Sequence, residues 1–168
     1  MKYCPECGNI LISGIEEETA VNRCSNCSYI DWNNWVYVAC VVVAFTPSNE
    51  FVMVKLKGKE EGKITFPGGY REIGETLEEA AIREFYEETG MRINNVEFYK
   101  SYTLDKLRLV WLVYQTKVDQ VSFTENNEVS ELLLVSPNQL IDRTFLRGRL
   151  TEGLYNDLLS KWEKQGSF

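Results

Sequence analysis

Glu84, Glu87 and Glu88 stand at positions i, i+3 and i+4 of one short stretch, with Arg83 immediately before them. Hard carboxylate oxygens gathered in this way suit Mg2+ or Mn2+, which take carboxylate and water ligands and commonly hold substrate phosphates. Like charges one turn apart destabilise a helix by roughly 0.2–0.5 kcal/mol per pair, so the cluster has a physical reason to recruit a cation. Arg83 lies one turn before Glu87 and can orient it through an ion pair. No histidine occurs among the 168 residues, which excludes Ser–His and Cys–His mechanisms. Proton transfer is left to carboxylates, Lys, Tyr or metal-bound water.

A second chemical set lies at the start of the chain. Cys4-Pro5-Glu6-Cys7 and Cys24-Ser25-Asn26-Cys27 are two C-x2-C knuckles separated by sixteen residues. Each places two thiolates on one tight turn, and two turns complete the closed tetrahedral S4 shell of a structural Zn2+ site. A redox C-x-x-C would be expected once, beside a βαβ pattern, and a disulfide framework would need an oxidising compartment. The fifth cysteine, Cys40, sits in the apolar run VYVACVVVA and reads as an inert core residue.

The elements that must position these groups can be placed from local signals. Thr76 and Glu79 form a capping box and Gly90 is a natural stop, so a helix is predicted over Leu77–Thr89. Its three glutamates fall within roughly 100° of arc. Ile82, Phe85 and Tyr86 are expected on the opposite, core-facing side. Ala80 and Ala81 fall on or beside the acidic face, where they leave room for a ligand. Pro67-Gly68-Gly69 reads as a tight turn able to bring a carbonyl oxygen to the metal.

Elsewhere, Val36–Phe45 reads as a strand buried on both faces, with Phe51–Leu56 as its hairpin partner. Val96–Leu104 and Leu107–Val118 are strand candidates joined by an Asp105-Lys106 turn, and Val129–Val135 is another. Pro137-Asn138-Gln139-Leu140 is expected to open a short helix, and Leu150–Trp162 shows an amphipathic helical pattern.

The stretch Gly69–Met91 resembles the Nudix box, G-x5-E-x7-R-E-U-x-E-E-x-G-U with U apolar, at every specified position. Chance coincidence of its fixed residues has a probability on the order of 10⁻⁸ per start site. The resemblance implies an α/β fold, an α/β/α sandwich with a mixed sheet, here preceded by a small zinc ribbon. The expected domains are a ribbon at 1–33 and a Nudix hydrolase domain at 34–168. It also implies an enzyme that hydrolyses the pyrophosphate bond of a nucleoside diphosphate linked to another group, by water attack on phosphorus.

By the same resemblance, Glu84, Glu87 and Glu88 are the ligands of the catalytic Mg2+ or Mn2+, joined by the Gly69 backbone. Arg83 belongs to the catalytic set, and Gly68, Glu75 and Gly90 support it. The general base is a box glutamate or an acid from a later loop, where Glu128 and Glu131 are the candidates and Glu128 is preferred. Lys55, Lys57, Lys59 and Lys63, or Arg143, Arg147 and Arg149, could grip phosphates. Trp35, Tyr70, Tyr102 and Trp111 could stack a base or serve as core.

Composition sets the remaining bounds. The length allows one ordinary core with a small appendage. The longest apolar run, Val36–Phe45, is too short to span a bilayer and the N-terminus is polar, so a soluble cytoplasmic protein with no membrane partner is expected. A net charge of −7 argues against nonspecific nucleic-acid binding. The ribbon itself sets Lys2 and Arg23 against Glu6, Glu16, Glu17, Glu18 and Asp31, which points to a scaffold or homodimer contact instead.

A zinc ribbon ahead of the box is similar to the NADH pyrophosphatase group. That group's Ser-Gln-Pro-Trp-Pro-Phe-Pro stretch is replaced here by the proline-free YKSYTLDKLRL. A small-molecule nucleotide is the expected partner, with a dinucleotide, an ADP-ribose-like compound and a nucleotide sugar all open. Two other classes share the fold. A nucleotide-sensing module would have no need of the full carboxylate set. A prenyl-diphosphate isomerase would need a catalytic Cys paired with Glu, and Cys40 in its apolar strand is poorly placed for that.

Overall fold

A computed structural model describes residues 2–139 and 141–166. The chain divides into two units, residues 1–36 and 37–168.

The first unit is a three-stranded antiparallel sheet of β1 (Leu11–Glu16), β2 (Thr19–Cys24) and β3 (Ile30–Asp31), in that order. A two-residue loop joins β1 to β2, and Glu17 and Glu18 both take positive φ (45° and 68°), as the twist of a tight hairpin requires. So small a sheet encloses little, with Cys4 and Val21 its buried apolar residues. A metal is the natural stabiliser of such a unit.

The second unit is built on β4 (Tyr37–Phe45), whose residues from Ala39 onward are all buried. Its odd-numbered side chains, Ala39, Val41, Val43 and Phe45, belong to one core cluster, and Cys40, Val42 and Ala44 belong to another. A strand apolar on both sides must have a layer on each, and it does. β5 (Phe51–Leu56), β6 (Ile64–Thr65), β7 (Gly68–Tyr70), β8 (Glu97–Leu104), β9 (Leu109–Lys117) and β10 (Val129–Val135) complete a sheet ordered β10-β5-β4-β9-β8. β4 and β9 run parallel from Tyr37↔Leu109 to Phe45↔Lys117, and the other pairings are antiparallel.

Helix α1 (Leu77–Thr89) covers one face through Ala80, Ala81 and Phe85. Helix α2 (Gly148–Gln165) covers the other through Leu154, Tyr155 and Leu158. The expected α/β/α sandwich with a mixed sheet is therefore formed. Neither of these helices, the two described α-helices, is long and apolar enough to cross a membrane.

Four local expectations need correction. β4 and β5 are not a continuous hairpin: they pair at Phe45↔Phe51 and then part, and the fork is filled by β6 on β5 and β7 on β4. Pro67-Gly68-Gly69 consequently does not turn, because the free edge of β4 captures Gly68 and Gly69 as a strand opposite Val41 and Cys40.

On α1, the acidic and apolar faces overlap instead of opposing each other. Ala80, Ala81, Phe85 and Glu88 are all buried, whereas Tyr86 is 42% exposed, with the Arg92 guanidinium over its ring. The alanines make room for the sheet and not for a ligand. Finally, Ser136 to Gln139 is a turn closed by the Gln139 amide on Ser136 O, not the start of a helix, and Leu140 lies outside the described residues.

Candidate active site

The helix that carries the acids is fixed at both ends by its own sequence. Thr76 Oγ1 accepts from the Glu79 amide at 3.2 Å, and Glu79 Oε2 accepts from the Thr76 amide at 2.7 Å. Gly90 closes the helix with φ 77°, a left-handed stop that glycine reaches without strain.

Close approach of α1 to β7 then defines the site. A Cβ built on Gly69 would overlap the Glu84 carboxylate, so only a glycine lets this acid lie against the strand. Gly68, at φ 151°, donates its amide N–H to Glu88 Oε2 at 3.0 Å, and a Cβ there would collide with Cys40 O and Val41. Two adjacent glycines thus seat two acids.

Arg83 is the electrostatic hub. It donates from Nε to Glu75 Oε2 at 3.0 Å and from Nη2 to Glu75 Oε1 at 2.8 Å, a bidentate grip. Its Nη2 also donates to Tyr70 O at 3.0 Å. Nη1 reaches Glu84 Oε1 at 2.8 Å and Glu87 Oε2 at 2.9 Å, holding two box acids about one cation. Glu75 in turn accepts from the Glu72 amide at 2.6 Å and locks the loop ahead of the helix.

Protonation follows from these contacts. The Arg83 guanidinium, aided by the Glu72 amide, holds the Glu75 carboxyl down at about 2. Glu75 and Glu84 raise Arg83 far above its ordinary range. Burial pushes Glu88 up to about 7, against the opposing Gly68 N–H; the charges of Glu84 and Glu128 add to the rise and that of Arg147 reduces it. Burial also raises Glu84 despite its bond to Arg83. Glu88 is buried, Glu84 partly buried and Glu87 exposed, and their hard carboxylate oxygens are donors of the kind a divalent cation takes.

Glu128 is exposed, in the segment ahead of β10, and its charge reaches both Glu84 and Glu88. The segment is tied to α1 by Asn126, a residue that sequence reasoning missed. Asn126 Nδ2 donates to Glu87 O at 3.1 Å and Glu88 O at 3.2 Å, while its Oδ1 accepts from the Glu128 and Val129 amides. The available signal was an Asn just before a strand, a residue type that bonds its own nearby backbone.

Several other candidates are engaged elsewhere. Lys55 pairs with Glu131 at 3.2 Å, Lys57 with Glu125 at 2.5 Å, and Lys63 donates to Thr144 O at 2.7 Å. Arg143 pairs with Glu152 at 3.4 Å. Tyr102 donates to Asp157 Oδ2 at 2.5 Å and so ties β8 to α2.

A cavity of about 280 Å3 opens beside Gly68 and Gly69, with Tyr70, Trp111, Arg147 and Arg149 among its lining residues. Trp35 lies in the first unit. Cys40 is fully buried, and burial raises its thiol to about 11, as befits an inert core residue.

In the first unit the four cysteines converge. Their sulfurs all lie within 4.8 Å of one another, with Sγ–Sγ separations of 3.6 Å for Cys4–Cys27, 3.4 Å for Cys7–Cys24 and 3.7 Å for Cys7–Cys27. A tetrahedron with Zn–S bonds of about 2.3 Å has edges of about 3.8 Å, so the donor set fits Zn2+. The amides of Asn26 and Cys27 point at Cys24 Sγ, and Asn9 Nδ2 points at Cys7 Sγ, supplying donors for thiolate charge.

Comparison with known proteins agrees with both units. Residues 34–154 match the NUDIX domain family, and residues 1–31 match a zinc-ribbon family described as the RNA polymerases M/15 Kd subunit. The NAD-capped RNA hydrolase NudC of Vibrio atlanticus is 28% identical over 101 residues, which are 60% of this chain and 36% of that protein. The Haemophilus influenzae NudC is 32% identical over 103 residues, 60% of this chain and 38% of that protein. The chain thus spans little more than a third of the length of these curated relatives.

A solved Nudix hydrolase from Nitrosomonas europaea superposes with a TM-score of 0.79 at 26% identity, covering 100% of this chain and 96% of that one. A MutT Nudix hydrolase from Burkholderia pseudomallei, at 19% identity and a TM-score of 0.60, covers 73% of this chain and 97% of its own and shares the fold. With the family matched over residues 34–154, well over half of its length, the chain belongs to the Nudix hydrolases.

Proposed function

We propose that this protein cleaves the pyrophosphate bond of a nucleoside diphosphate linked to a second group, releasing a nucleoside monophosphate and a phosphorylated remainder. The observation that carries this reading is the seating of Glu84 and Glu88 on Gly69 and Gly68, beside a cavity bordered by two arginines. In this reading Glu84, Glu87 and Glu88, with the Gly69 backbone, hold Mg2+ or Mn2+. The ion when bound would neutralise phosphate charge and lower the pKa of a bound water.

The chain's own residues supply the rest. Arg83 positions Glu84 and Glu87, and Glu75 positions Arg83. The Gly68 amide fixes which Glu88 oxygen remains free. Glu128 is proposed as the base, its charge felt by Glu84 and Glu88 and its segment anchored to the helix through Asn126. The ribbon, residues 1–33, is assigned a structural Zn2+ and a scaffolding role, and residues 34–168 the chemistry.

The test is a hydrolysis screen with Mg2+ or Mn2+ across NADH, ADP-ribose, FAD, dinucleoside polyphosphates and nucleoside triphosphates, with the nucleoside monophosphate and the other product separated and identified. Glu87→Gln should lower turnover by orders of magnitude while the fold persists. Undiminished turnover in that variant would sink the metal-ligand assignment, and no cleavage of any compound would favour a nucleotide-sensing role.

A further inference from the structure

Arg147 is anchored before any ligand arrives. Its amide donates to Ile64 O at 2.9 Å, and Leu146 forms a parallel bridge with Ile64. Lys63 adds a second strap by donating to Thr144 O. The segment carrying Arg147 is therefore bound to β6, three residues before the Gly68–Gly69 strand that seats the acids. Arg147 lines the same cavity as those glycines.

There Arg147 Nε meets Glu60 Oε2 at 2.6 Å, with both side chains nearly half exposed. An exposed pair of this kind contributes about 0–1 kcal/mol, so it is easily exchanged. A phosphate offers an arginine the same bidentate fork as a carboxylate with a further acceptor oxygen, and a terminal monophosphate adds up to a second charge. Glu60 itself sits on a tight turn between β5 and β6, held by the Lys63 amide on its carbonyl, and so stays at the rim when released.

The same cavity has an apolar lining as well, from Leu104, Leu107, Leu109 and Trp111. At about 280 Å3 the cavity falls just below the roughly 300–1,000 Å3 usual for ligand sites. That is room for one nucleotide half and not for two.

Building on the hydrolase reading, we propose that Arg147 is the substrate-positioning residue that clamps the phosphate of one nucleotide half. Glu60 is its resident competitor, displaced on binding. The base of that half lies along the leucine and tryptophan wall, and the second group extends into solvent. The site therefore selects a nucleoside phosphate and is indifferent to the bulk of what is attached to it.

The test is calorimetric titration of the whole chain with adenosine monophosphate, inorganic phosphate and adenosine, without added Mg2+ or Mn2+. Arg147→Ala should weaken the monophosphate by about tenfold or more, a loss of the size expected for a charged hydrogen-bonding partner, and leave adenosine unchanged. Arg147→Lys should recover part of the loss. Glu60→Gln should tighten the monophosphate severalfold, and that gain should vanish in the double variant.

Equal monophosphate affinity in the wild type and Arg147→Ala, or no binding of monophosphate by the wild type, overturns the clamp. Hydrolysis is read separately. Cleavage with a KM indifferent to Arg147 removes this inference alone, whereas Arg147-dependent binding without any cleavage removes the hydrolase reading and leaves the clamp.

Discussion

Arg83 grips Glu75 with two nitrogens, Nε and Nη2, while its remaining nitrogen spans Glu84 and Glu87. One guanidinium thus joins the loop before α1 to two acids on it. Lysine is a point charge and cannot hold this fork. Arg83→Lys is expected to fold but to lose at least tenfold in turnover through loosened acids, with steady-state kinetics as the check. Retention of full turnover would show that the planar grip is dispensable.

The same pair predicts an acid limb of stability. The Glu75 carboxyl lies near 2 in the folded chain against an ordinary 4.5, so its contribution is complete above about pH 4.5 and is lost as pH falls toward 2. Glu75→Gln should flatten the dependence of unfolding free energy on pH across that window and leave the slope at neutral pH unchanged. Urea titrations at a series of pH values read it directly.

Gly68 faces two demands at once, a left-handed φ and a backbone contact with β4. Gly68→Ala should cost at least ~1–3 kcal/mol of stability from the strained dihedral alone. It should also displace the amide that holds Glu88, so Mn2+ affinity should fall together with Tm. Electron paramagnetic resonance of titrated Mn2+ would report the loss, and unchanged affinity would argue that this amide does not position the acid.

Asn126→Ala removes the donors to two helix carbonyls and the acceptor for two amides. About 1 kcal/mol per lost bond is expected, and hydrogen exchange should rise at Glu128 and Val129 before it rises in β10 as a whole. Activity should fall with Glu128 misplaced. A variant that keeps the exchange pattern of the parent would contradict the tether.

For the ribbon, Cys24→Ser should reduce bound zinc below one equivalent and unfold residues 1–36 selectively, since a sheet this small has almost no core of its own. Zinc analysis combined with proteolysis from the N-terminus checks this. A full equivalent of zinc in the variant would sink the four-cysteine assignment.

The helix bounds, its caps and the two cysteine pairs were legible because each depends on neighbours within a few residues. The parts that were not legible depend on distant chain. Nothing in Pro67-Gly68-Gly69 announces a strand, because what makes it one is the free edge of β4 left where β5 departs. The burial of Ala80 and Ala81 was misread for a related reason. Helical spacing identifies the acidic arc, but only the β7 glycines reveal that Glu84 and Glu88 on it face the sheet while Glu87 stays exposed. Asn126 and Arg147 likewise act through partners far along the chain, Asn126 through Glu87 and Glu88, and Arg147 through Glu60.

The fork between β4 and β5 bears on whether the box can be transplanted. In sequence, Gly69 to Met91 is a continuous cassette that looks ready to move between scaffolds. Yet its seat is borrowed: the glycines rest on Cys40 and Val41, the strand bearing those two is held along its other edge by β9, and the acids' carbonyls are roped down from Asn126. Inserted into a helix–loop protein without an open central strand, the same twenty-three residues would form a capped acidic helix with no seat for Glu84 or Glu88. An engineer wishing to move this chemistry would have to move the gap in the sheet along with it.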